Sequence, residues 1–256
     1  MTKYALITGT TSGIGEALAE QFAQNRINLI LVSRDIDKLN RQAESLSSRF
    51  GIDAQVIAAD LTQEDAAQSV YDQTKQMGVT VQYLVNNAGF DEHGYFVETD
   101  LANEIGMIKA HAICTTQMMK LYIPDMITAK YGRILNLGST ASFMPCPYNS
   151  VYAATKAFIL SVSKGIGAEL KGTGVTVTAL CPGATNTEFA RKAGMEDTRL
   201  FSTMTMDPAT VARIGYKAML KGKPQVVTGF YNKVQVASSK LLPSALMNSI
   251  VETMLR

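Results

Sequence analysis

"YALITGTTSGIGEALAEQF", residues 4–22, joins an apolar run, a glycine-rich turn and a helical pattern. The turn contains Gly9, Gly13 and Gly15, and apolar residues recur after it at intervals of four, as in a helix. Glycine lets the main chain adopt angles closed to other residues and approach a phosphate closely. The first amides of the helix attract the same negative charge. The stretch therefore predicts a phosphate-binding turn, although its Gly-x3-Gly-x-Gly spacing differs from the commoner Gly-x-Gly-x-x-Gly.

The rest of the chain repeats this alternation of strand and helix. Six further apolar runs, "NLILVS", "QVIAAD", "YLVNNAG", "RILNLGS", "VTVTALCPG" and "PQVVTG", are separated mostly by helical patterns. Buried parallel strands are nearly continuous apolar runs because helices cover both faces of their sheet. The pattern predicts an α/β fold: a doubly wound parallel sheet of the Rossmann type with helices on both faces. We expect a single domain over residues 1–256, with ligands at the carboxyl ends of the strands.

Composition and charge exclude several classes of protein. The 24 Lys and Arg residues balance 22 Asp and Glu and are scattered, so we expect no nucleic-acid partner. No window approaches the roughly 20 apolar residues of a membrane span, and no secretory signal pattern is present. Cys114, Cys146 and Cys181 are too few and too scattered for a disulfide framework or a zinc site. We expect a cytoplasmic protein without a bound metal.

The end of the second strand indicates which dinucleotide the fold binds. Such folds usually place an acidic residue there to hold the adenosine 2′-hydroxyl, but here the strand ends in Ser33 and Arg34. Ser33 can donate a hydrogen bond to a 2′-phosphate, and Arg34 can pair with it or stack over it. Alternatively, Arg34 is a solvated charge and Asp35 a helix cap. We predict NADP(H) in preference to NAD(H).

Later strand ends add further candidates for the same edge. Asp60 and Leu61 are expected near the adenine, and "NNAG", residues 86–89, beneath the cofactor. Asn86 could equally be a structural turn residue.

Two pairs in the sequence place a tyrosine four residues before a lysine. Tyr71 and Lys75 have no strand-end hydroxyl before them, so we interpret the pair as a contact on a helix surface. Tyr152 opens a helix that follows a strand ending in Ser139, and Lys156 lies one turn further on the same face. A free phenol has a pKa of about 10, which an adjacent ammonium lowers. The second pair therefore suits proton transfer to a carbonyl oxygen that Ser139 orients.

Residues 2–231 resemble the short-chain dehydrogenase/reductase family. The resemblance rests on "TGTTSGIG", "NNAG", Ser139, "YAATK" (residues 152–156) and "CPGATNT" (residues 181–187), in the family's order and spacing. "NLILVSRDIDKLN" and "GFYNKVQVASSKLLP" are most similar to general carbonyl, 3-oxoacyl and hydroxysteroid reductases. The resemblance implies that Tyr152 is the catalytic acid/base, that Ser139 contacts the substrate oxygen and that Lys156 holds the nicotinamide ribose.

The predicted cofactor-binding residues share a position at the carboxyl edge of the sheet. They are Gly9, Thr11, Ser12, Gly13, Ile14, Gly15, Ser33, Arg34, Asp60, Leu61, Asn86, Ala88, Gly89, Tyr152, Lys156, Pro182, Gly183 and Thr185. Pro182, Gly183 and Thr185 are expected to border the nicotinamide.

One position departs from the family's pattern. Members usually carry an asparagine thirteen residues before the proline of the long central helix, where it supports a water molecule in the proton relay. Counting back from Pro124 gives His111. A histidine could hold the same water and titrate near physiological pH; alternatively it packs within the helix or faces solvent. We predict that His111 takes part in the relay.

The late part of the chain indicates a cover over an apolar pocket. Residues 184–206 form a long connection, which in a compact domain is typical of a lid. We expect apolar side chains from this lid and the facing loops to form the pocket wall, and the extension over residues 234–256 to cover the pocket or a neighbouring subunit. The predicted wall residues are Phe90, Phe143, Met144, Tyr148, Phe189, Met195, Phe201, Met204 and Met206.

These observations favour reversible hydride transfer between NADP(H) and a carbonyl or secondary alcohol on a small to medium apolar substrate. One alternative is a redox sensor that binds NADP(H) without turnover. Another is a structural partner in a multienzyme pathway, which would need a basic docking patch that the even charge does not indicate. The family resemblance also implies a homodimer or homotetramer, paired through residues 101–130 and 151–171.

Overall fold

The seven predicted strands form one parallel sheet in the order β3-β2-β1-β4-β5-β6-β7. The computed structural model describes residues 3–203, 205–239 and 241–255; Thr2 and Met204, named above, lie outside these ranges. The strands are β1 (Lys3–Thr8), β2 (Asn28–Ser33), β3 (Ala54–Ala58), β4 (Thr80–Asn86), β5 (Gly132–Leu137), β6 (Val175–Cys181) and β7 (Gln225–Val227). The predicted fold class is confirmed.

Helices lie on both faces of this sheet. They are α1 (Gly13–Gln24), α2 (Ile36–Phe50), α3 (Ala66–Gln76), α4 (Leu101–Ile108), α5 (Thr115–Thr128), α6 (Ser150–Glu169), α7 (Glu188–Lys192), α8 (Arg199–Thr203), α9 (Pro208–Leu220), α10 (Phe230–Ser238) and α11 (Ser244–Leu255). None of the helices within the described ranges is both long and apolar enough to cross a bilayer.

Two apolar layers hold the helices to the sheet. On one face, Val70 of α3 and Met118 of α5 are fully buried against side chains such as Leu6. On the other face, α1 and α9 pack together, and the ring of Phe22 meets Tyr216 edge to face with centroids 4.9 Å apart. Burying a side chain of this size stabilises the fold by roughly 2–3 kcal/mol. The strand ends are therefore held in fixed positions relative to one another.

The order of the strands places a crevice at the centre of the sheet. The chain passes outward from β1 through β2 to β3, then returns to place β4 on the other side of β1. Because the connections after β1 and β4 leave in opposite directions, the carboxyl ends of these two strands open a crevice between them.

A π-helical turn, Lys109–Cys114, joins α4 to α5. Such turns are rare and are frequent at functional sites, because the wider turn changes the direction of the side chains it carries. This one carries His111, which is buried. The predicted central helix is thus continuous over residues 101–128, with a wider turn at His111, the position that departs from the family's pattern.

The connection over residues 184–206 contains two short helices, α7 and α8. A parallel bridge between Thr185 and Met206 closes its base. The next helix, α9, is capped at its start: Asp207 accepts a hydrogen bond from the amide of Thr210 at 2.8 Å, and Pro208 occupies the first turn. The C-terminal helix α11 packs against α8.

Candidate active site

A cavity of about 340 Å³ opens at the carboxyl edge of the sheet. The loops after β1 to β6 form its walls, and Val251, Met254 and Leu255 of α11 close one side. Every predicted catalytic or cofactor-binding residue lines this cavity except Asn86 and His111.

The glycine-rich turn brings main-chain amides to the cavity wall. Gly9 and Gly13 have φ angles of +70° and +61°, a region that side-chain-bearing residues rarely adopt. A Cβ atom on Gly15 would lie 2.0 Å from the carbonyl oxygen of Gly9. These positions leave room only for glycine, and the first turn of α1 lines the cavity there. The turn fits an anionic pyrophosphate, which the helix N-terminus attracts.

The end of β2 lines the same cavity as Tyr152. The hydroxyl groups of Ser33 and Thr11 are 3.1 Å apart, and exposed Arg34 lines the cavity beside them. Asp35 does cap α2, because its side chain accepts a hydrogen bond from the amide of Lys38 at 3.0 Å. The two interpretations of this strand end therefore coexist.

Asp60 also lines the cavity, within electrostatic reach of Arg34. Its carboxylate accepts hydrogen bonds from the amide and the hydroxyl of Thr62 at 3.0 and 2.8 Å. Burial raises the pKa of Asp60, but the hydrogen bonds from Thr62 and Gln63 and the charge of Arg34 outweigh burial, so the pKa lies below its ordinary value. Asp60 is thus an ionised acceptor at neutral pH.

Asn86, a predicted cofactor contact, is buried beneath the cavity instead. Its side-chain amide donates to Asn136 at 2.8 Å, and Asn136 donates to Ser163 at 2.8 Å. This chain of hydrogen bonds joins β4, β5 and α6. The next residue, Asn87, lines the cavity and donates to the carbonyl oxygens of Thr8 and Gly9 at 2.9 and 3.1 Å. Adjacent residues of an extended chain point to opposite faces. Asn87, and not Asn86, therefore lines the cavity.

Ser139 follows the end of β5 and begins a short 3-10 turn, Thr140–Phe143. Its hydroxyl oxygen accepts a hydrogen bond from the amide of Ala141 at 3.1 Å, and its amide donates to the hydroxyl of Ser142 at 3.1 Å. These contacts fix the hydroxyl oxygen and leave its proton for a group in the cavity. Ser139 is thus held with its hydroxyl group at the cavity wall, beside Tyr152.

Tyr152 and Lys156 lie on one face of the first turns of α6, beside Ser139. The Lys156 ammonium lies 5.4 Å from the centre of the Tyr152 ring and donates to the carbonyl oxygen of Leu137 at 2.9 Å. Lys156 is 4% exposed, and burial lowers its pKa to about 8, although the carboxylate of Asp91 opposes that shift. Lys156 therefore remains mostly protonated at neutral pH.

The expected lowering of the Tyr152 pKa by Lys156 is wrong. Withdrawal of the phenol from water raises the pKa of Tyr152 well above its ordinary value, and the charge of Asp91 adds to the shift. A hydrogen bond with Ser139 lowers the pKa but does not reverse the shift. Burial wins because a phenolate loses more solvation than a phenol. The side chain is therefore a neutral hydrogen-bond donor at pH 7.

His111 does not line the cavity, and both of its ring nitrogens are engaged by protein groups. The amide of Phe90 donates to Nε2 at 3.2 Å, and Nδ1 lies 2.9 Å from the hydroxyl of Thr155. That hydroxyl donates its own proton to the carbonyl oxygen of Tyr152 at 2.7 Å, so it must accept from Nδ1–H. Burial and the charge of Lys156 lower the pKa of His111 well below its ordinary value. The expected titration of His111 near physiological pH is therefore wrong, and its part in the proton relay stays a prediction.

The His111 ring packs against the ring of Tyr152. The two rings meet edge to face, with centroids 5.9 Å apart at 79°. A Cβ atom on Gly89 would lie 2.4 Å from His111 Nε2, so the loop after β4 packs directly on the imidazole. The wider π-helical turn is what brings the imidazole into this position.

We expect His111 to remain neutral, as the Nδ1–H tautomer, from pH 8 down to pH 5, because protonation would require a buried charge and the loss of the Phe90 hydrogen bond. The measurement is ¹⁵N NMR of histidine-labelled protein. The chain has two histidines, so His93 supplies the comparison signal. An Nε2–H tautomer, or a His111 signal that titrates near pH 6.5, would contradict the assignment.

Tyr148 does not line the main cavity as predicted. Its φ angle is +66°, and its side chain is partly buried against an apolar cluster that contains Met195. Its ring packs against Tyr95 with centroids 5.0 Å apart, and its hydroxyl donates to Glu252 at 3.1 Å. Tyr148 therefore connects the loop before α6 to the C-terminal helix α11.

The apolar wall of the cavity includes most of the predicted side chains. Phe90, Met144, Phe189, Met195 and Phe201 line it. Phe143 packs instead into an apolar cluster behind the wall, and Met206 lies beneath α10, where its sulfur is 3.3 Å from the Thr228 hydroxyl. Wall residues that sequence reasoning missed include Asp91, Cys146 and Asn149. Leu200, Val251, Met254 and Leu255 also line the cavity and belong to the lid and the extension expected there.

The other tyrosine–lysine pair lies away from this cavity. The Tyr71 hydroxyl and the Lys75 ammonium both contact the carboxylate of Asp125, at 3.0 and 2.7 Å. The Lys75–Asp125 ion pair is about half exposed. The pair is a surface contact between α3 and α5, as its sequence context predicts.

A doubly wound parallel sheet with a glycine-rich turn and a Ser–Tyr–Lys group at its carboxyl edge defines a nucleotide-dependent oxidoreductase. A family model described as short chain dehydrogenase matches residues 3–198. The chain belongs to the short-chain dehydrogenase family of oxidoreductases, and the predicted family membership is confirmed.

The relatives are reductases and dehydrogenases. The chain is 34% identical over 195 residues to very-long-chain 3-oxoacyl-CoA reductase of Bos taurus, a match covering 74% of this chain and 61% of that protein. It is 38% identical over 191 residues to sulfoacetaldehyde reductase 2 of Chromohalobacter salexigens, covering 74% and 75%. A short-chain dehydrogenase from Sphingobium yanoikuyae in complex with NADPH superposes with a TM-score of 0.83, at 28% identity and 94% coverage of both chains. The match thus spans about three fifths of the mammalian relative.

Proposed function

We propose that the protein is an NADP(H)-dependent oxidoreductase that interconverts a carbonyl and a secondary alcohol, with Tyr152 as the acid/base. The observation that carries this proposal is the meeting of Ser139, Tyr152 and Lys156 in one cavity with the glycine-rich turn. A turn that fits pyrophosphate and a proton donor therefore lie in the same crevice. The roles of all three side chains are part of the proposal.

The neutral phenol of Tyr152 suits the reductive direction. When bound, the nicotinamide supplies the hydride. Ser139 donates a hydrogen bond to the carbonyl oxygen, and Tyr152 delivers its proton to that oxygen as negative charge develops. Both donors are held before the reaction, so they stabilise the transition state without reorganisation. In the oxidative direction Tyr152 would have to ionise first, which its raised pKa opposes.

Lys156 supports this chemistry in two ways. Its ammonium donates a hydrogen bond to the Leu137 carbonyl oxygen at 2.9 Å and lies beside the Tyr152 ring. There it would stabilise the negative charge on the Tyr152 oxygen after that residue gives its proton to the substrate. It is also placed to hold the ribose hydroxyls. Gly9, Ile14 and Asp60 would hold the pyrophosphate and the adenosine.

A preference for NADP(H) rests on the end of β2. Ser33 and Arg34 both line the cavity, with Thr11 next to Ser33. A guanidinium and two hydroxyls suit a 2′-phosphate, whereas a carboxylate at position 33 would repel it. The Sphingobium relative was solved with NADPH, which supports the same preference.

The first test is titration with NADPH and NADH, followed by NADPH oxidation with a panel of bulky apolar ketones. We expect NADPH to bind at least 10-fold more tightly than NADH, because a charge-assisted contact contributes roughly 1.5–3 kcal/mol. The variant Arg34→Ala should lose most of that difference and leave NADH binding unchanged. Arg41→Ala removes an equal charge from α2 and is the matched control.

Three outcomes of this test would count against the proposal. Equal affinity for NADPH and NADH would contradict the cofactor preference. Tight NADPH binding with no ketone turned over would favour the sensor instead. Weak binding of both cofactors would overturn the proposed function.

The apolar wall supports a hydrophobic carbonyl substrate. The cavity volume falls within the 300–1,000 Å³ of small-molecule sites. We propose that residues 184–206 act as a lid and that α11 completes the substrate side. We also propose a homodimer or homotetramer: Leu101, Ile105 and Ile108 of α4 and Phe158 of α6 leave an apolar surface on the two helices named for pairing.

A further inference from the structure

A buried carboxyl group, that of Asp91, lines the cavity among apolar side chains. Asp91 follows "NNAG" by two positions and is 7% exposed. Its neighbours on this wall are Phe90, Cys146 and Met195. The proposed acid/base mechanism gives Asp91 no role, and burial of a carboxyl group in such surroundings is costly unless it has partners.

Asp91 is held in place by two hydrogen bonds. The amide of Asn149 donates to Oδ2 at 2.7 Å, and the backbone amide of Glu92 donates to Oδ1 at 2.9 Å. The side-chain oxygen of Asn149 lies 2.8 Å from Nδ1 of His93. This contact fixes the orientation of the Asn149 amide. The loop itself is tied to the segment before α6 by the amide of Gly94, which donates to the carbonyl oxygen of Tyr148 at 2.9 Å.

The carboxylate is close to the reacting groups. It raises the pKa of Tyr152, of Lys156 and of Cys146 by its charge, so it lies within electrostatic reach of all three. Burial raises the pKa of Asp91 to about 7, so the carboxylate form predominates above pH 7. In that form each oxygen can accept about two hydrogen bonds and has one from the protein. Asp91 thus has acceptor capacity left at the cavity wall, next to the position of the substrate.

We propose that Asp91 determines substrate specificity by accepting a hydrogen bond from a hydroxyl or amine group that the substrate carries in addition to the reacting carbonyl. This inference rests on the proposed function, because it names the substrate class of the same site: an apolar carbonyl compound with one hydrogen-bond donor. A site built around a buried acceptor rejects an analogue that lacks the donor, because the acceptor is then left unpaired.

The probes are para- and meta-substituted acetophenones that carry a hydroxymethyl, an aminomethyl or an ethyl group. Hydroxymethyl and ethyl have nearly the same shape, so they differ mainly in the donor. We expect the better hydroxymethyl or aminomethyl isomer to exceed its ethyl counterpart by on the order of 10- to 100-fold in kcat/KM. Its Kd, measured by calorimetry on the protein without cofactor, should be lower than that of the ethyl compound.

Two variants and one control test the residue itself. Asp91→Leu should remove or reverse the preference. Asp91→Asn keeps the shape of the side chain, so it guards against a folding defect; it should reduce the preference for the aminomethyl compound more than for the hydroxymethyl one. Glu92→Gln removes a neighbouring charge that does not line the cavity, and should keep the wild-type preference.

The readouts separate the two proposals. Turnover of the ketones with no donor preference, or a preference that survives in Asp91→Leu, overturns the role of Asp91 and leaves the proposed function standing. A donor preference in Kd that Asp91→Leu abolishes, without turnover of any ketone, supports the role of Asp91 and counts against the proposed function. If the protein shows neither a donor preference in Kd nor turnover of any ketone, both proposals are overturned.

Discussion

Replacement of Tyr152 by phenylalanine should lower kcat for carbonyl reduction by about 10²- to 10⁴-fold, the contribution of a positioned proton donor. The substitution removes one oxygen atom and leaves the ring in contact with His111 and Phe189, at centroid distances of 5.9 and 5.8 Å. Because these ring contacts remain, we expect the free energy of unfolding and the affinity for NADPH to change little. Steady-state kinetics and a fluorescence titration with NADPH give the two quantities.

The chain contains a matched control for this variant. Tyr71 also precedes a lysine by four residues, but its hydroxyl contacts Asp125 on the surface between α3 and α5. Tyr71→Phe should therefore keep the wild-type kcat. Near-normal turnover by Tyr152→Phe would overturn the assignment of the proton donor, and an equal loss in both variants would show that the effect is not specific to the site.

Replacement of Gly15 by alanine should disrupt the phosphate-binding turn. The new Cβ would lie 2.0 Å from the Gly9 carbonyl oxygen and 2.4 Å from Asn87 Nδ2. The first contact is with backbone, which cannot move aside as a flexible side chain can, so α1 must separate from the end of β1. We expect the free energy of unfolding to fall by about 1–3 kcal/mol, as in other overpacked sites, and NADPH affinity to fall at least 100-fold.

Gly165 supplies the opposite expectation for the same chemical change. It lies within α6, and a Cβ atom there would have no atom within 4 Å among the described residues. Gly165→Ala should raise the free energy of unfolding by about 0.5–1 kcal/mol, because alanine loses less backbone entropy in a helix than glycine. Urea denaturation of the two variants checks both. A destabilising Gly165→Ala or a neutral Gly15→Ala would contradict the packing described here.

The strands, the glycine-rich turn and the choice between the two tyrosines could be predicted because each depends on local pattern. Seven apolar runs specify seven strands, since a parallel strand covered on both faces must be apolar throughout. The glycines mark the turn because a side chain at Gly15 has no room. Tyr152 was preferred over Tyr71 because the strand before it ends in a hydroxyl, and strand ends in a parallel sheet meet at one edge.

Only the tertiary structure decided what surrounds these groups. The protonation of Tyr152 and His111 depends on burial by segments distant in sequence. Burial raises the pKa of Tyr152, and burial together with the charge of Lys156 lowers the pKa of His111. Which of Asn86 and Asn87 reaches the cavity depends on which face of β4 meets Asn136, fifty residues from Asn86 in the sequence. Asp91 could not be recognised as part of the site, because an acidic residue in a polar loop normally faces solvent. Its burial follows from the approach of Asn149 and Met195, which the fold brings together and local sequence does not specify.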